Sequence, residues 1–289
     1  MHYKEAKHLL SAQNGMNLYR GCTHGCIYCD SRSDCYQMQH DFEDVEVKSN
    51  AILLLEQELR RKRRRCMIGT GAMSDPYLHA ESKLQHMRKC LELIDRYGFG
   101  AAVQTKSDMI LRDLELYQSI HAKTKAVVQV TLTTWDEKLC RILEPHVCTT
   151  QRRAEVLNIF RDCHIPTVVW LTPILPFIND TEENLREILN VCVRANVKGI
   201  LTFGFGVTLR AGDREYFYRK LDEHFPGMKE RYIHTYGNAY EVPSPQNPRL
   251  TEIFREECVK HGIMYRPEQI FAYLHEFEDK GCGEQMRFF

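Results

Sequence analysis

The chain has 289 residues, 43% hydrophobic and 27% charged, which suits one large α/β domain or two small ones with a sizeable core. Lysine plus arginine and aspartate plus glutamate number 39 each, so no global field draws the chain onto nucleic acid or an anionic membrane. Twelve cysteines are many, but residues 1–13 form no apolar signal region and no apolar run approaches the roughly 20 residues of a membrane helix, so the expected setting is a reducing cytoplasm rather than a disulfide scaffold.

Met16–Tyr19 reads as a first short apolar strand. Asn50–Arg61 follows as an amphipathic helix with Ile52, Leu55 and Leu59 on one side. Next come a strand at Cys66–Gly69, a helix at Ser82–Tyr97 carrying Leu84, Met87, Leu91 and Ile94, and a strand at Ala101–Thr105. The alternation continues with Asp113–His121 helical, Ala126–Leu132 extended, Gln151–Cys163 helical, Thr167–Leu171 extended, Glu182–Ala195 helical and Gly199–Phe203 extended. Strands that are short and almost continuously apolar suit a parallel sheet buried on both faces. Repeated β-α units imply right-handed crossovers. Six such units fall short of a closed eight-fold barrel, so the expected fold is α/β, a partial open (β/α)6 parallel barrel over residues 1–209. Residues 210–289 break the pattern, with helices at Arg214–Phe225, Arg249–His261 and Glu268–Phe277, and read as a C-terminal helical cap on the open side of the same domain. Cys66, Cys90, Cys163, Cys192 and Cys258 sit singly within apolar periodic segments and behave as small hydrophobes.

Directly after the first strand comes Gly21-Cys22-Thr-His-Gly25-Cys26-Ile-Tyr28-Cys29. Three thiols at spacings of four and three can surround one metal centre, and the two glycines let the backbone turn tightly enough to aim them inward. Structural zinc and closed iron–sulfur clusters normally take four protein ligands, so three leave a corner for chemistry. Cys35, six residues on, is the alternative fourth ligand, and with it the loop would be a structural zinc site or an electron-transfer cluster.

The stretch Asn17–Asp30 resembles the opening of the spore photoproduct lyase-like family of radical S-adenosylmethionine (SAM) proteins. Met73–Tyr77, Gln104–Ser107 with Arg112-Asp113, Val130–Thr134 with Glu144-Pro145, Pro173–Pro176 with Asn179-Asp180, and the ending Gln285–Phe289 are similar in the same order. The resemblance implies a [4Fe–4S] cluster on Cys22, Cys26 and Cys29, its unique iron chelated by the amino and carboxylate groups of SAM. An electron donor such as flavodoxin or ferredoxin would reduce the cluster, the carbon–sulfur bond would break, and the 5′-deoxyadenosyl radical would take hydrogen from a substrate. It also implies cofactor contacts at strand ends: Ser74 and Asp75 toward the amino group, Lys106 and Arg152 toward the carboxylate, Thr131 toward the ribose, and Tyr28 beside the adenine. Each has a plainer reading. Ser-Asp-Pro also makes turns and caps, lysines are usually on the surface, and a tyrosine can simply pack.

One position departs from the family. In spore photoproduct lyase the segment matching Ala72–Pro76 begins with a cysteine that returns hydrogen to the product radical, and here that residue is Ala72. The radical-generating half is intact and the substrate half is open. Three functions therefore compete: a radical SAM enzyme of unassigned substrate, a DNA-repair lyase, and a non-catalytic metal module that uses Cys35. The basic run Arg60–Arg65 suits the solvated end of a helix better than a nucleic-acid contact. Gly204-Phe-Gly206 lacks the third glycine of a dinucleotide loop. Gln285–Phe289 resembles peptides that dock on DNA sliding clamps, and two terminal phenylalanines would equally pin the tail to a core.

Overall fold

The computed structural model describes residues 1–281. In chain order the elements are β1 (His2–Lys4), β2 (Gly15–Met16), β3 (Tyr19–Arg20), β4 (Glu46–Lys48), α1 (Ala51–Arg61), β5 (Met67–Thr70), α2 (Glu81–Leu84), α3 (His86–Tyr97), β6 (Gly100–Thr105), α4 (Leu114–Lys123) and β7 (Ala126–Thr131). Then come α5 (Glu137–Leu143), α6 (Thr150–Asp162), β8 (Thr167–Trp170), α7 (Glu182–Arg194), β9 (Gly199–Leu201), β10 (Gly206–Thr208), α8 (Asp213–His224), α9 (Met228–Tyr236), β11 (Glu241–Pro243), α10 (Asn247–His261) and α11 (Pro267–His275).

Six strands form one sheet in the order β2-β5-β6-β7-β8-β9, every neighbouring pair parallel. β2 and β9 are separate edges, so this is the open six-unit sheet that the alternation predicts. Strand sides alternate, and the two faces have different partners. Val103, Val128, Val130, Val169 and Ile200 face the helices, packing with Leu91, Ile94, Tyr117, Ile120, Leu157, Phe160 and Ile188. Met67, Ala102, Val127, Val168 and Leu201 face the concave side, where Ile270 and Leu274 of α11 cover them. The edge beyond β9 is extended by Met264, whose carbonyl accepts from Ile200 N at 2.8 Å.

Two expected elements are divided. Met16–Tyr19 is not one strand: Met16 ends β2 in the large sheet, while Tyr19 and Arg20 turn away to pair antiparallel with β4. β4 pairs in parallel with β1, so the segment entering the cysteine loop belongs to a second, three-stranded sheet. The helix expected over Ser82–Tyr97 breaks at Gln85, which has φ 52°. The buried Glu81 carboxylate makes the break: it accepts from His86 N at 3.0 Å and Met87 N at 2.9 Å, satisfying the exposed first turn of α3. The tail contains more than the three expected helices. It adds α9 and the antiparallel β10–β11 pair, which brackets α8 and α9, and Val207, Leu209, Phe217, Leu221, Tyr232 and Val242 share one buried cluster with Cys26, Ile27 and Tyr28. Gln285–Phe289 lies outside the described residues. Among the described residues no helix is long and apolar enough to cross a membrane.

Candidate active site

The cysteine loop lies at the carboxyl ends of the parallel strands, clamped from three sides. Cys22 N donates to Phe42 O at 3.0 Å, Ile27 N to Leu143 O at 3.0 Å, and His146 N to His24 O at 3.2 Å. Gly21 has φ 86° and a Cβ there would lie 2.4 Å from Phe42 O; at Gly25, with φ 71°, it would lie 2.9 Å from the His146 ring. Both therefore have to be glycine for the loop to seat. Every described cysteine is a free thiol. Burial pushes the Cys22 thiol up to about 12, with the negative field of Asp75 and Cys29 adding to it. Burial also pushes Cys26 well above its usual range, against the pull of Lys106.

The three sulfurs are spread too widely for all to lie within 4.8 Å of one another. Around a single tetrahedral zinc, with Zn–S of about 2.3 Å, sulfurs sit only about 3.8 Å apart. Cys35 is exposed and turned to the tail, its sulfur accepting from Arg210 Nη1 at 3.2 Å. That contact leaves the corner opposite the triad free of a protein thiolate.

Lys106, at the end of β6, faces the thiols. Burial works against its charge, but the negative field of Cys26, Glu144, Cys29 and Asp75 outweighs burial and raises it above the ordinary lysine range. Its ammonium lies 6.0 Å from the Tyr28 ring centroid, and among the described residues it makes no ion pair within 4.0 Å. It is a half-buried cation without a carboxylate partner. At the end of β7 the Thr131 and Thr133 hydroxyls are buried without hydrogen-bond partners. Orphaned buried hydroxyls carry a desolvation cost of about 1–3 kcal/mol that a bound polar ligand recovers. Free cation, orphaned hydroxyls and three convergent thiols together fit a [4Fe–4S] cluster with SAM beside it.

Ser74 and Asp75 act on the chain itself. Ser74 Oγ donates to Gly21 O at 2.9 Å, tying the end of β5 to the cysteine loop. Asp75 accepts from Thr105 Oγ1 at 2.7 Å, Tyr77 N at 2.8 Å and Lys106 N at 2.7 Å, which fixes the backbone that presents Lys106. Arg152 reaches outward, pairing with Asp108 at 2.8 Å and Glu155 at 2.6 Å. Tyr28 is buried, its phenol donating to Glu144.

Arg153, next to Arg152 in the chain, turns inward instead. It is 1% exposed, pairs with the equally buried Glu144, and donates to Thr131 O at 2.7 Å and Cys140 Sγ at 3.2 Å. Although burial opposes ionisation, Arg153 and Lys106 hold the Glu144 carboxyl below its usual range. Glu144 thus links α6, β7 and Tyr28 of the cysteine loop. A sequence signal for Arg153 existed: it shares a helix face with Val156, Leu157 and Phe160. His24, between Cys22 and Cys26, was also missed. It is buried, which lowers its pKa despite Asp75 3.5 Å away.

The family profile of the radical SAM superfamily matches residues 16–192. The chain belongs to that superfamily. It is therefore an enzyme that binds a [4Fe–4S] cluster and SAM, and radical SAM chemistry is its activity class. An uncharacterized protein of Mycobacterium bovis is 30% identical over 261 residues, covering 87% of this chain and 74% of its own. An uncharacterized protein of Methanocaldococcus jannaschii is 27% identical over 174 residues, covering 60% and 64%. Among solved structures, spore photoproduct lyase complexed with dinucleoside spore photoproduct superposes with a TM-score of 0.62 at 13% identity, covering 86% of this chain and 74% of that one. This radical SAM chain therefore shares its fold with the lyase, as the order of motifs predicts.

Proposed function

We propose that this radical SAM enzyme takes a hydrogen atom from an organic substrate seated against the concave face of the sheet, above α11. Bound together, the cluster and SAM supply a 5′-deoxyadenosyl radical when one electron arrives. Cys22, Cys26 and Cys29 would hold three irons. Lys106 would meet the methionine carboxylate, with Asp75 fixing its backbone and Ser74 holding the cysteine loop against β5. The Thr131 hydroxyl would accept or donate to the ribose. Tyr28, Glu144 and Arg153 would keep water from the loop and hold its shape. Arg152 would act on the carboxylate only by leaving Asp108. The electron would come from a flavodoxin or ferredoxin, and the free thiols of the described residues suit a reducing cytoplasm.

The observation that carries this reading is the triad with its fourth corner free, Cys35 being held by Arg210. Anaerobically reconstituted protein with a strong reductant and SAM should release 5′-deoxyadenosine, and Cys26→Ala should release none. No product from the cluster-loaded wild type would sink the proposal.

The substrate side is marked by Trp170 and Phe203. Trp170 is register-paired with Thr131, its indole donates to Gln129 Oε1 at 2.8 Å, and Phe203 beyond the end of β9 is 63% exposed. A second reading, repair of photodamaged DNA by a lyase reaction, is favoured by the fold shared with spore photoproduct lyase. Ala72 opposes it, since a methyl group has no readily transferred hydrogen. Incubation with ultraviolet-irradiated DNA separates the two readings: restored thymines support repair, and 5′-deoxyadenosine without repair supports another substrate.

A further inference from the structure

A second group of metal-type ligands lies outside the radical site, where β1 meets the loop before β4. One ligand atom each from His2, His40 and Asp44 falls within a mutual 4.8 Å. The two imidazoles meet edge to face, with ring centroids 4.7 Å apart. His2 Nδ1 is 2.9 Å from Asp44 Oδ2.

His40 decides what the group is for. Its Nδ1 lies 3.0 Å from Asp41 O. A carbonyl oxygen can only accept, so Nδ1 carries the hydrogen and Nε2 of the neutral ring carries the lone pair. That Nε2 is buried and has no hydrogen-bond partner. A backbone carbonyl on one nitrogen and a free lone pair on the other is the arrangement of a metal-ligating histidine. His2 has a second carboxylate within reach: Glu46 Oε2, which pairs with Lys4 at 3.2 Å, is 3.8 Å from its Nε2, and Glu46 is only 7% exposed. When a cation takes Nδ1, the His2 proton can shift to Nε2 and face that carboxylate. The Met1 ammonium also pairs with Asp44, at 2.5 Å from Oδ1, so an exposed ion-pair cluster accounts for His2 and Asp44 but leaves the buried, unpartnered His40 Nε2 unexplained.

We propose that His2, His40 and Asp44 form a binding site for a divalent first-row transition metal of the zinc type. Two imidazoles and one carboxylate suit such an ion, and three protein ligands leave a fourth position for water. The His2 and Asp44 side chains are 39% and 41% exposed, so that position opens to solvent. The site joins β1 to the 40–46 loop, whose Phe42 carbonyl accepts from Cys22 N at 3.0 Å. Metal there braces the backing of the cysteine loop without touching the cluster.

The test uses the full-length, cluster-loaded protein dialysed against zinc with excess magnesium. One zinc per chain should remain besides the iron. His40→Gln and Asp44→Asn should each lose that zinc, with iron content as the control for folding. Cobalt(II) added to a variant with Cys22, Cys26 and Cys29 all changed to Ala should give the weak visible bands of nitrogen and oxygen ligation. The proposal is overturned if the wild type keeps no zinc, if both single variants keep as much as the wild type, or if cobalt shows the intense charge-transfer absorption of thiolate ligation. Should one variant lose its iron, the other decides.

Discussion

The two ends of the six-stranded sheet are built for different purposes. At the amino ends Ile270 and Leu274 fill the concave face, and Lys125, itself buried, has Glu278 Oε1 2.9 Å from its ammonium and the Tyr273 ring centroid at 3.8 Å. At the carboxyl ends the Thr131 and Thr133 hydroxyls are buried without hydrogen-bond partners and Lys106 has no ion pair among the described residues, whereas the charge of Lys125, though without a well-aligned hydrogen bond, is met by a carboxylate. One end closes the fold, and the other keeps polar groups in reserve for ligands. Parallel α/β proteins commonly divide stability and function in this way, because loops at the carboxyl ends can vary without disturbing the packed strands.

Substitutions at the two ends should separate cofactor chemistry from stability. The largest effect is expected for Cys26→Ala, which should abolish both the brown iron chromophore and 5′-deoxyadenosine release while far-UV circular dichroism stays near wild type. Next is Arg153→Met. It leaves Glu144 charged and buried, at a cost of about 3–5 kcal/mol in urea unfolding, and iron incorporation should fall with it. An unchanged midpoint would mean that the Glu144–Arg153 pair does not brace the loop. At the closed end, Leu274→Ala should cost about 2–4 kcal/mol of stability yet leave SAM cleavage per iron unaltered at low temperature. A proportional loss of cleavage there would erase the division between the ends. Lys106→Met should retain iron and weaken SAM binding by about 2 kcal/mol, read by titration of the reduced cluster.

The smallest effect concerns pH. Burial raises the Asp213 carboxyl to about 6, so its proton is held more tightly in the folded chain than in the unfolded one. The stabilisation is complete below the ordinary aspartate range and is lost as pH rises through about 6. Asp213→Asn, which keeps an acceptor for Arg210 N, should therefore gain about 1 kcal/mol relative to wild type between pH 4 and pH 7. Parallel stability profiles for the two proteins would place the wild-type carboxylate in water instead.

The strands were legible because β6 and β7 are almost wholly buried on both faces, which leaves continuous apolar runs in the sequence. The cysteine loop was legible as a candidate site because its three thiols are neighbours in the chain. Arg152 and Arg153 meet different surroundings, since a shift of one residue moves a side chain about 100° around a helix: Arg152 pairs with Asp108 near the surface and Arg153 with the buried Glu144. Nor could the break at Gln85 be read, because its cause is Glu81 turning back onto α3 while Tyr19 and Arg112 hold the same carboxylate.

Local order along the chain thus determined the sheet, its helices and the three cluster thiols, since each depends on residues within a few positions of one another. Only the tertiary structure decided which polar groups are spent and which are spare. Cys35 goes to Arg210, Asp75 to the end of β6 and Glu144 to Arg153, while the Thr131 hydroxyl is buried without a partner. A polar side chain's role depends on whether a distant partner reaches it in the folded chain, and sequence spacing carries no record of that distance.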